Sequence, residues 1–419
     1  MSLRDVDVAV IGAGPAGMAA AVRAKEAGAE HVVIMERAEQ LGGLLHQCVH
    51  NGFGLFYFKE DLTGPEYAHR FVEKVRDTGI QLMLETMVIR ISKDREIDAV
   101  SNRGGYIRFK PKSIVLAMGC RERTRGALNI PGSRPAGILT AGTAQRFVNV
   151  EGFIPGKKIV ILGSGDIGMI MARRLSLEGA KVEAVVEILP YVGGLIRNEV
   201  QCLHDFHIPL YLEHTVAKIH GEERVEAVTV VRVDGNRCPI VGTAQRIACD
   251  TLLLSVGLIP ENELSSMAGI RLDPVTGGAV VDEARQTSVN GIFAGGNVLH
   301  VHDLVDNASE ESELAGRSAA DFAAEKKSLE RGSIALKGGR NIRYVVPHTI
   351  SGKRDVTLYM RVDQPEETVR IKVGDLMTKA LRAVKPSEML KIDLSTEQLK
   401  KLGKETKQIV VECEKRGDP

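Results

Sequence analysis

One local design occurs twice in this chain: an apolar strand, a glycine turn, an apolar helix, and a second strand that ends on an acid. The first copy runs from Val6 to Ile11, through Gly12-Ala13-Gly14-Pro15-Ala16-Gly17, a helix over Met18 to Ala27, and a strand over His31 to Met35 closed by Glu36 and Arg37. The second runs from Lys158 to Leu162, through Gly163-Ser164-Gly165-Asp166-Ile167-Gly168, a helix over Met169 to Glu178, and a strand over Val182 to Val186 closed by Glu187. In both copies the acid follows the first glycine by 24 positions. The first glycine permits the tight turn out of the strand, the second lets the backbone approach a pyrophosphate, and the third lets the helix pack closely on the strand. The helix N-terminus offers free N–H groups and a positive dipole end to phosphate. The acid can accept from a ribose diol. A glycine turn alone is weak evidence; the strand, helix and acid around it carry the weight. Both copies keep all three glycines and the acid, so two dinucleotides are expected, the alternative being a duplication with one working site. A carboxylate at Glu187 favours the free 2′-hydroxyl of NAD over the 2′-phosphate of NADP.

Three further apolar strands end in glycines: Ser113 to Gly119, Thr251 to Gly257, and Ile292 to Asn297, the last followed by a helix from about Glu310 to Lys326. The pattern predicts an α/β chain of two Rossmann-like domains, the second inserted in the first. Residues 1–120 and 252–330 form the first domain and residues 121–251 the second. Residues 331–419 read differently. Arg354 to Val362, Thr368 to Val373, Glu388 to Leu394 and Gln408 to Glu412 have strand character, with a short helix over Thr396 to Leu402. This stretch is expected to be a small, separate β-rich domain for docking or oligomerisation.

Composition narrows the function. The 419 residues carry 55 Lys+Arg against 54 Asp+Glu, a net charge of +1 that argues against a nucleic-acid binder. The six cysteines, Cys48, Cys120, Cys202, Cys238, Cys249 and Cys413, contain no CxxC pair, which disfavours a zinc ribbon, a dithiol motif and an iron–sulfur ligand set. No apolar run reaches the ~18–20 residues of a membrane span. A cytoplasmic protein is expected.

These motifs resemble the pyridine nucleotide–disulfide oxidoreductase family over about residues 5–325. Gly42-Gly43, Ala117-Met118-Gly119, Gly257-Leu258-Ile259-Pro260 and Ala294-Gly295-Gly296-Asn297 complete the set. The resemblance implies a glutathione-reductase-type arrangement of an FAD domain and an NAD domain. FAD would be held by Gly12, Gly14, Pro15, Ala16, Gly17, Glu36, Arg37, Gly43, Ala117, Gly119, Gly296 and Asn297. NAD(H) would be held by Gly163, Gly165, Asp166, Ile167, Gly168, Glu187 and Gly257. The segments Leu45 to Gly54 and Gly119 to Arg123 are similar to a branch of proteins associated with glycerol-3-phosphate dehydrogenase-like flavoproteins and opine-oxidase-type amino-acid dehydrogenase complexes. That branch implies an oligomer and a partner flavoprotein subunit. Three departures from the disulfide enzymes stand out. Cys48 has no close partner cysteine, so a dithiol relay is disfavoured. His348 is the only histidine of the tail, without an acid–base pair. The usual Gly-Asp at the flavin ribityl chain reads Gly296-Asn297, whose amide oxygen can still accept.

The remaining candidates each have two readings. Cys48 is a redox thiol or a small buried hydrophobe. His46 and His50 flank it in a His-x-Cys-x-His pattern that lacks a fourth metal ligand. His300 and His302 steer protons to reduced flavin or are loop residues. Arg121, Arg123 and Arg125 contact phosphate or carboxylate, or stabilise a hinge. Asp166 is expected to cap its helix, and Glu310, Glu311 and Glu313 to form a solvated helix N-terminus. The expected activity is hydride transfer between NAD(H) and FAD, with electrons exchanged with a second substrate or partner flavoprotein. The alternatives are a stand-alone NADH oxidase using Cys48 and dioxygen, and a non-catalytic FAD-binding protein kept for assembly of a complex.

Overall fold

A computed structural model of the chain describes residues 5–326, 331–403 and 405–415. The chain forms two compact units, Met1–Cys120 with Pro260–Pro419, and Arg121–Ile259.

The first unit is built on a five-stranded parallel sheet in the order Ile292–Ala294, Ser113–Leu116, Val8–Ile11, Val32–Met35 and Gln81–Met83. Its central strands are buried on both faces, which explains why they read as unbroken apolar runs rather than alternating ones. Successive side chains still part company. Val8 and Val10 join a core with the helix Pro15–Glu26, whereas Ala9 and Ile11 pack with Val88, Ile91, Ile97 and Ala99 of an antiparallel sheet on the other face. That sheet comprises Thr86–Ile91, Ile97–Ser101 and Gly105–Phe109.

The helix Pro15–Glu26 is alanine-rich because it lies against another helix at close range. Its partner is Val305–Ala323, and Ala19, Ala20, Ala315 and Ala319 are all fully buried between them. A Cβ on Gly316 would stand 2.0 Å from the carbonyl oxygen of Ala20. Overpacking of a tight core costs about 1–3 kcal/mol. Gly316→Ala should therefore lower unfolding stability by about that amount, read as a lower denaturant midpoint at unchanged slope. An unaltered midpoint would show that the helices can part freely.

The second unit repeats the plan. Its parallel sheet has the order Ile138–Thr140, Thr251–Leu254, Lys158–Leu162, Lys181–Val186 and Leu210–Tyr211. A three-stranded antiparallel sheet, His214–His220, Ala227–Arg232 and Gln245–Ala248, shares a core with it. The strand Thr251–Leu254, which sequence pattern places in the resumed first domain, pairs along its length with Lys158–Leu162. It belongs to the second unit, whose span ends at Ile259.

The described residues of 331–415 are β-rich, but they cluster with the first unit. A five-stranded sheet, Thr349–Ile350, Ile334–Gly338, Gln408–Lys415, Glu366–Val373 and Met377–Val384, faces a three-stranded one, Tyr344–Val346, Val356–Arg361 and Leu390–Leu394, around a common core. Val346 reaches into the core of the first parallel sheet, and His348 exchanges backbone and ring hydrogen bonds with Val281. Buried Glu283 accepts from the Ser351 backbone at 2.8 Å and pairs with Arg354 at 2.8 Å. Among the described residues, no helix is long and apolar enough to cross a membrane.

Candidate dinucleotide sites and a buried ion-pair network

The two glycine turns have the same construction at atomic detail. Gly12 and Gly163 both take φ +100°. A Cβ on Gly12 would lie 2.4 Å from the oxygen of Ala117, and one on Gly163 would lie 2.1 Å from the oxygen of Ser255. Both are therefore fixed by conformation and by a neighbouring strand. Gly17 and Gly168 serve the close approach of helix to turn, since added Cβ atoms would meet the oxygens of Gly12 and Gly163 at 1.8 and 2.7 Å. The middle glycines differ. Nothing lies within 4 Å of a Cβ on Gly14, and the nearest atom to one on Gly165 is 3.6 Å away. The protein leaves room for a side chain there yet carries none, as a turn that receives a pyrophosphate requires. The helices begin immediately after, with Pro15 and Ala16 opening one and Asp166 and Ile167 the other.

The acids brace these turns from below. Glu36 accepts from the N–H of Ala13 at 2.7 Å and of Ala38 at 2.8 Å. Glu187 accepts from Ser164 N at 2.8 Å, Ser164 Oγ at 2.7 Å and Leu189 N at 3.0 Å. Each carboxylate is buried, and its oxygens retain lone pairs with which to accept from a ribose hydroxyl. Arg37 is exposed beside Glu36.

A second device recurs that the motif pattern alone does not flag. Gly42-Gly43 follow Glu36, and Gly193-Gly194 follow Glu187 at the same spacing. Gly42 N donates to Ala13 O at 2.8 Å, and Gly193 N donates to Ser164 Oγ at 2.8 Å. A Cβ on Gly43 would come within 3.0 Å of Gly14 Cα, and one on Gly194 within 2.6 Å of Asp166 Oδ1. Each pair lets a following segment lie against its glycine turn. Asp166 is not the helix cap; Gly165 holds that position. Its Oδ1 accepts from Leu195 N at 2.8 Å and Asn198 Nδ2 at 2.6 Å, tying the Gly193-Gly194 segment to the helix N-terminus.

Gly119 and Gly257 end equivalent strands with φ +74° and +100°, and no backbone crowds either. Gly257 O accepts from Arg123 N at 3.1 Å. Arg125 donates to Ile130 O and Gly132 O at 3.0 and 3.1 Å, a role in fixing a turn, while Arg121 and Arg123 are exposed.

Cys48 caps a short turn, Gly43–Gln47, and is buried; its Sγ donates to Leu44 O at 3.5 Å. Burial pushes its thiol up to about 12, which keeps it protonated near neutral pH. His46 bonds Leu41 O and the half-buried His50 bonds Asn51 O, so one ring nitrogen of each is engaged by backbone.

The acidic run behaves contrary to expectation. The helix begins at Val305, which puts Glu310, Glu311 and Glu313 past its first turn rather than at a solvated end. Lys391 holds Glu310, Tyr57 donates to Glu313, and Glu311 is buried. Glu311 Oε1 meets Arg285 Nε at 3.0 Å and His300 Nε2 at 3.1 Å; Oε2 meets His302 Nε2 at 3.0 Å and Gly296 N at 3.2 Å. Burial opposes its charge, but His300 and Arg285 outweigh that and hold the carboxyl well below its ordinary range. Burial lowers His300 to about 4, against the pull of Glu311. Tyr344 and Tyr359 of the β-rich region enclose the two rings. Asn297 stands at the edge of this network: its Oδ1 accepts from His302 N at 2.9 Å, and its Nδ2 donates to Cys120 Sγ at 3.6 Å.

His300, His302 and Glu311 bring three donor atoms within 4.8 Å of one another. The surroundings suit an ion-pair network better than a metal. Arg285 already supplies the counter-charge, and among the described residues both Nδ1 atoms lack the outer hydrogen-bond partner that metal-bound histidines almost always have. On the flavin side, Gly296 takes φ +73° against Ala16, and Ser312 Oγ is buried beside Gly295 without a partner among the described residues. Together with the open Gly14 and the acid beneath it, these residues fit an FAD pyrophosphate and ribose.

The family model for pyridine nucleotide-disulphide oxidoreductases matches residues 6–312. The chain belongs to this family. Enzymes of the pyridine nucleotide-disulphide oxidoreductase family are oxidoreductases that use FAD and NAD(P)H, the pair of dinucleotides that two glycine turns imply. The chain is 26% identical to one of the subunits of opine oxidase from Agrobacterium tumefaciens, over 76% of its own length and 67% of that protein's. It is 27% identical to thioredoxin reductase of Treponema pallidum over 76% of its length and 97% of the relative's. Among solved structures, thioredoxin reductase of T. acidophilum superposes with a TM-score of 0.63 at 25% identity, covering 76% of this chain and 98% of that one. The chain spans about two thirds or less of the length of several curated relatives it matches. The family match ends before the β-rich region begins.

Proposed function

We propose that this chain transfers hydride between NAD(H) and bound FAD and exchanges the electrons with a partner flavoprotein that oxidises glycerol 3-phosphate or an amine-type substrate. The observation that carries the reading is the duplicated cradle. Two turns, each with an unfilled middle glycine and a buried acid, are the equipment for one dinucleotide each, and a protein kept only for assembly would not need the second. When bound, FAD supplies a two-electron acceptor and NADH the hydride. The chain's own residues then do the rest. Gly12 to Gly17 and Glu36 fix the FAD phosphates and ribose; Gly119, Gly296 and Asn297 line the flavin side. Gly163 to Gly168 and Gly257 receive NAD(H). Glu187 would meet a 2′-phosphate as one negative charge meets another, so NADH is the preferred donor. Hydride transfer needs placement and exclusion of water more than a side-chain base, which agrees with the scarcity of conventional catalytic groups.

The partner flavoprotein rests on two supports. A relative named as one of the subunits of opine oxidase implies an assembly for that protein. Here no cysteine stands between Cys48 and Cys120, and no two of the six form a disulfide, so the electrons need an exit other than a dithiol. The decisive experiment is anaerobic titration of the FAD-loaded protein with NADH. Reduction of the flavin at stoichiometric NADH is expected; a flavin that stays oxidised ends the proposal. Recovery of a dehydrogenase-like flavoprotein on purification from the native host would test the partner separately.

For Cys48, Ser substitution should leave NADH-driven flavin reduction within about threefold of wild type, because a thiol held near 12 is neither nucleophile nor ready electron carrier. A changed ratio of peroxide to water under air would instead favour the oxidase reading.

A further inference from the structure

A second polar site lies at the opposite edge of the first parallel sheet from its glycine turn. There, beside the starts of the strands Ser113–Leu116 and Ile292–Ala294, is an open groove of about 450 Å³. Arg95, Lys112, Lys326 and Arg331 bring four cations to it, and Glu325 one carboxylate. Two of the cations have ordinary duties. Lys112 pairs with Asp7 at 2.8 Å, and Lys326 pairs with Asp321 at 2.8 Å near the carbonyl end of the helix Val305–Ala323. The hydrogen bonds of the other two go, among the described residues, to the backbone oxygens of Asn290 at 3.0 Å for Arg95 and of Ser288 at 3.4 Å for Arg331, whose charge also acts on the buried carboxyl of Asp282.

Arg95 is held in place. It adopts φ +67°, a conformation L-residues rarely take, and its guanidinium lies 5.6 Å from the centre of the Phe322 ring. Gly291 makes room for that stack, since a Cβ there would meet Phe322 at 2.7 Å and Arg95 Cδ at 2.9 Å. The Arg95 Nε–H is nonetheless buried without an acceptor among the described residues. Gln286, only 4% exposed, also lines the groove, and its Nε2 is likewise buried and unpartnered. Buried polar groups are nearly always paired. In both residues the unpaired atom is an N–H donor, so the missing partner is an acceptor. Beside two guanidinium groups it is an anionic one.

We infer that this groove is a binding site for a phosphate-bearing small molecule. A phosphate monoester can accept from Arg95 Nε, Gln286 Nε2 and Arg331 together and carries up to two negative charges against the guanidinium groups, where a carboxylate carries one. The groove is larger than a phosphate alone and falls within the size range of small-molecule sites, which leaves space for an organic body against Phe322.

The test uses the FAD-loaded protein in saturating NAD⁺, so that both glycine turns are filled. Titration calorimetry with inorganic pyrophosphate should give one further site, weakened at least tenfold by Gln286→Leu and by Arg331→Ala. Arg331 is exposed, so its variant should melt at the wild-type temperature without ligand and keep NADH-driven flavin reduction. Absence of pyrophosphate binding, or equal affinity in wild type and both variants, would overturn the site. Citrate binding as tightly as pyrophosphate would overturn its assignment to phosphate.

Discussion

Replacing Glu311 by Ala will destabilise the first unit by about 3–5 kcal/mol, the usual result of removing one partner from a buried ion pair. The carboxylate has no exposure, Arg285 and both histidine side chains have 1%, and four donors converge on its two oxygens. Without it the guanidinium of Arg285 remains buried and uncompensated, and Gly296 loses the acceptor of its N–H. Glu311→Gln keeps the shape and loses the charge, so it should fall between. FAD retention should decline with stability, because Gly296 and Asn297 both lean on this network. Denaturant unfolding of the variants reports the first effect and flavin content after gel filtration the second; a stability loss under about 1 kcal/mol would mean that the site relaxes or hydrates. The same network sets a pH dependence. His300 is lowered from an ordinary 6.5 to about 4, chiefly by burial. Between those values the unfolded chain holds a proton that the folded one refuses, so stability falls as pH drops from about 6.5 towards 4, by on the order of 3 kcal/mol. Glu311, held below its ordinary range, loses its contribution as pH falls further, in the same direction. His300→Phe should flatten the upper part of this profile.

Much of the architecture could be read from local pattern. Both turns, both acids and the strands beside them lie within short stretches whose periodicity and glycines dictate one geometry. The Glu311 network could not, because Arg285 and the enclosing tyrosines are remote in sequence and nothing local marks them as partners. A partial signal existed. Ala308, Ser312, Ala315 and Ala319 recur at helical spacing, and a helix started early enough to include them places Glu311 in its interior. The Gly193-Gly194 pair was also legible, since its distance from Glu187 repeats that of Gly42-Gly43 from Glu36. In the β-rich region, Met377–Val384 escaped detection because it is mostly exposed and its residues do not alternate. The helix end at Asp166 departs from expectation for a physical reason: Asp is a favoured cap, but here the chain turns at Gly165 and Asp166 is spent on Leu195 and Asn198.

Duplication allows the two cofactor sites to be switched off separately. Gly163→Ala should abolish NADH-driven flavin reduction, by about 100-fold or more, while leaving FAD bound. The added Cβ would stand 2.1 Å from the backbone oxygen of Ser255 at a φ of +100°. The atoms it would meet, in Ser255 and Val256, are backbone and not the end of a flexible side chain, so the turn and the N-terminus of the helix Asp166–Leu177 must shift; a misplacement of about 1 Å at a hydride-transfer centre costs on the order of 10²-fold in rate. The FAD cradle lies in the other compact unit and shares no residue with this turn. Gly12→Ala makes the converse change, 2.4 Å from Ala117 O, and should yield a colourless protein that retains NAD(H) affinity. Flavin absorbance of the purified variants, with NADH binding measured by calorimetry, separates the outcomes. Loss of FAD in both variants would mean that the units fold as one. Normal NADH reactivity in Gly163→Ala would remove the second turn from the reaction and leave the duplicated fold with a single working site.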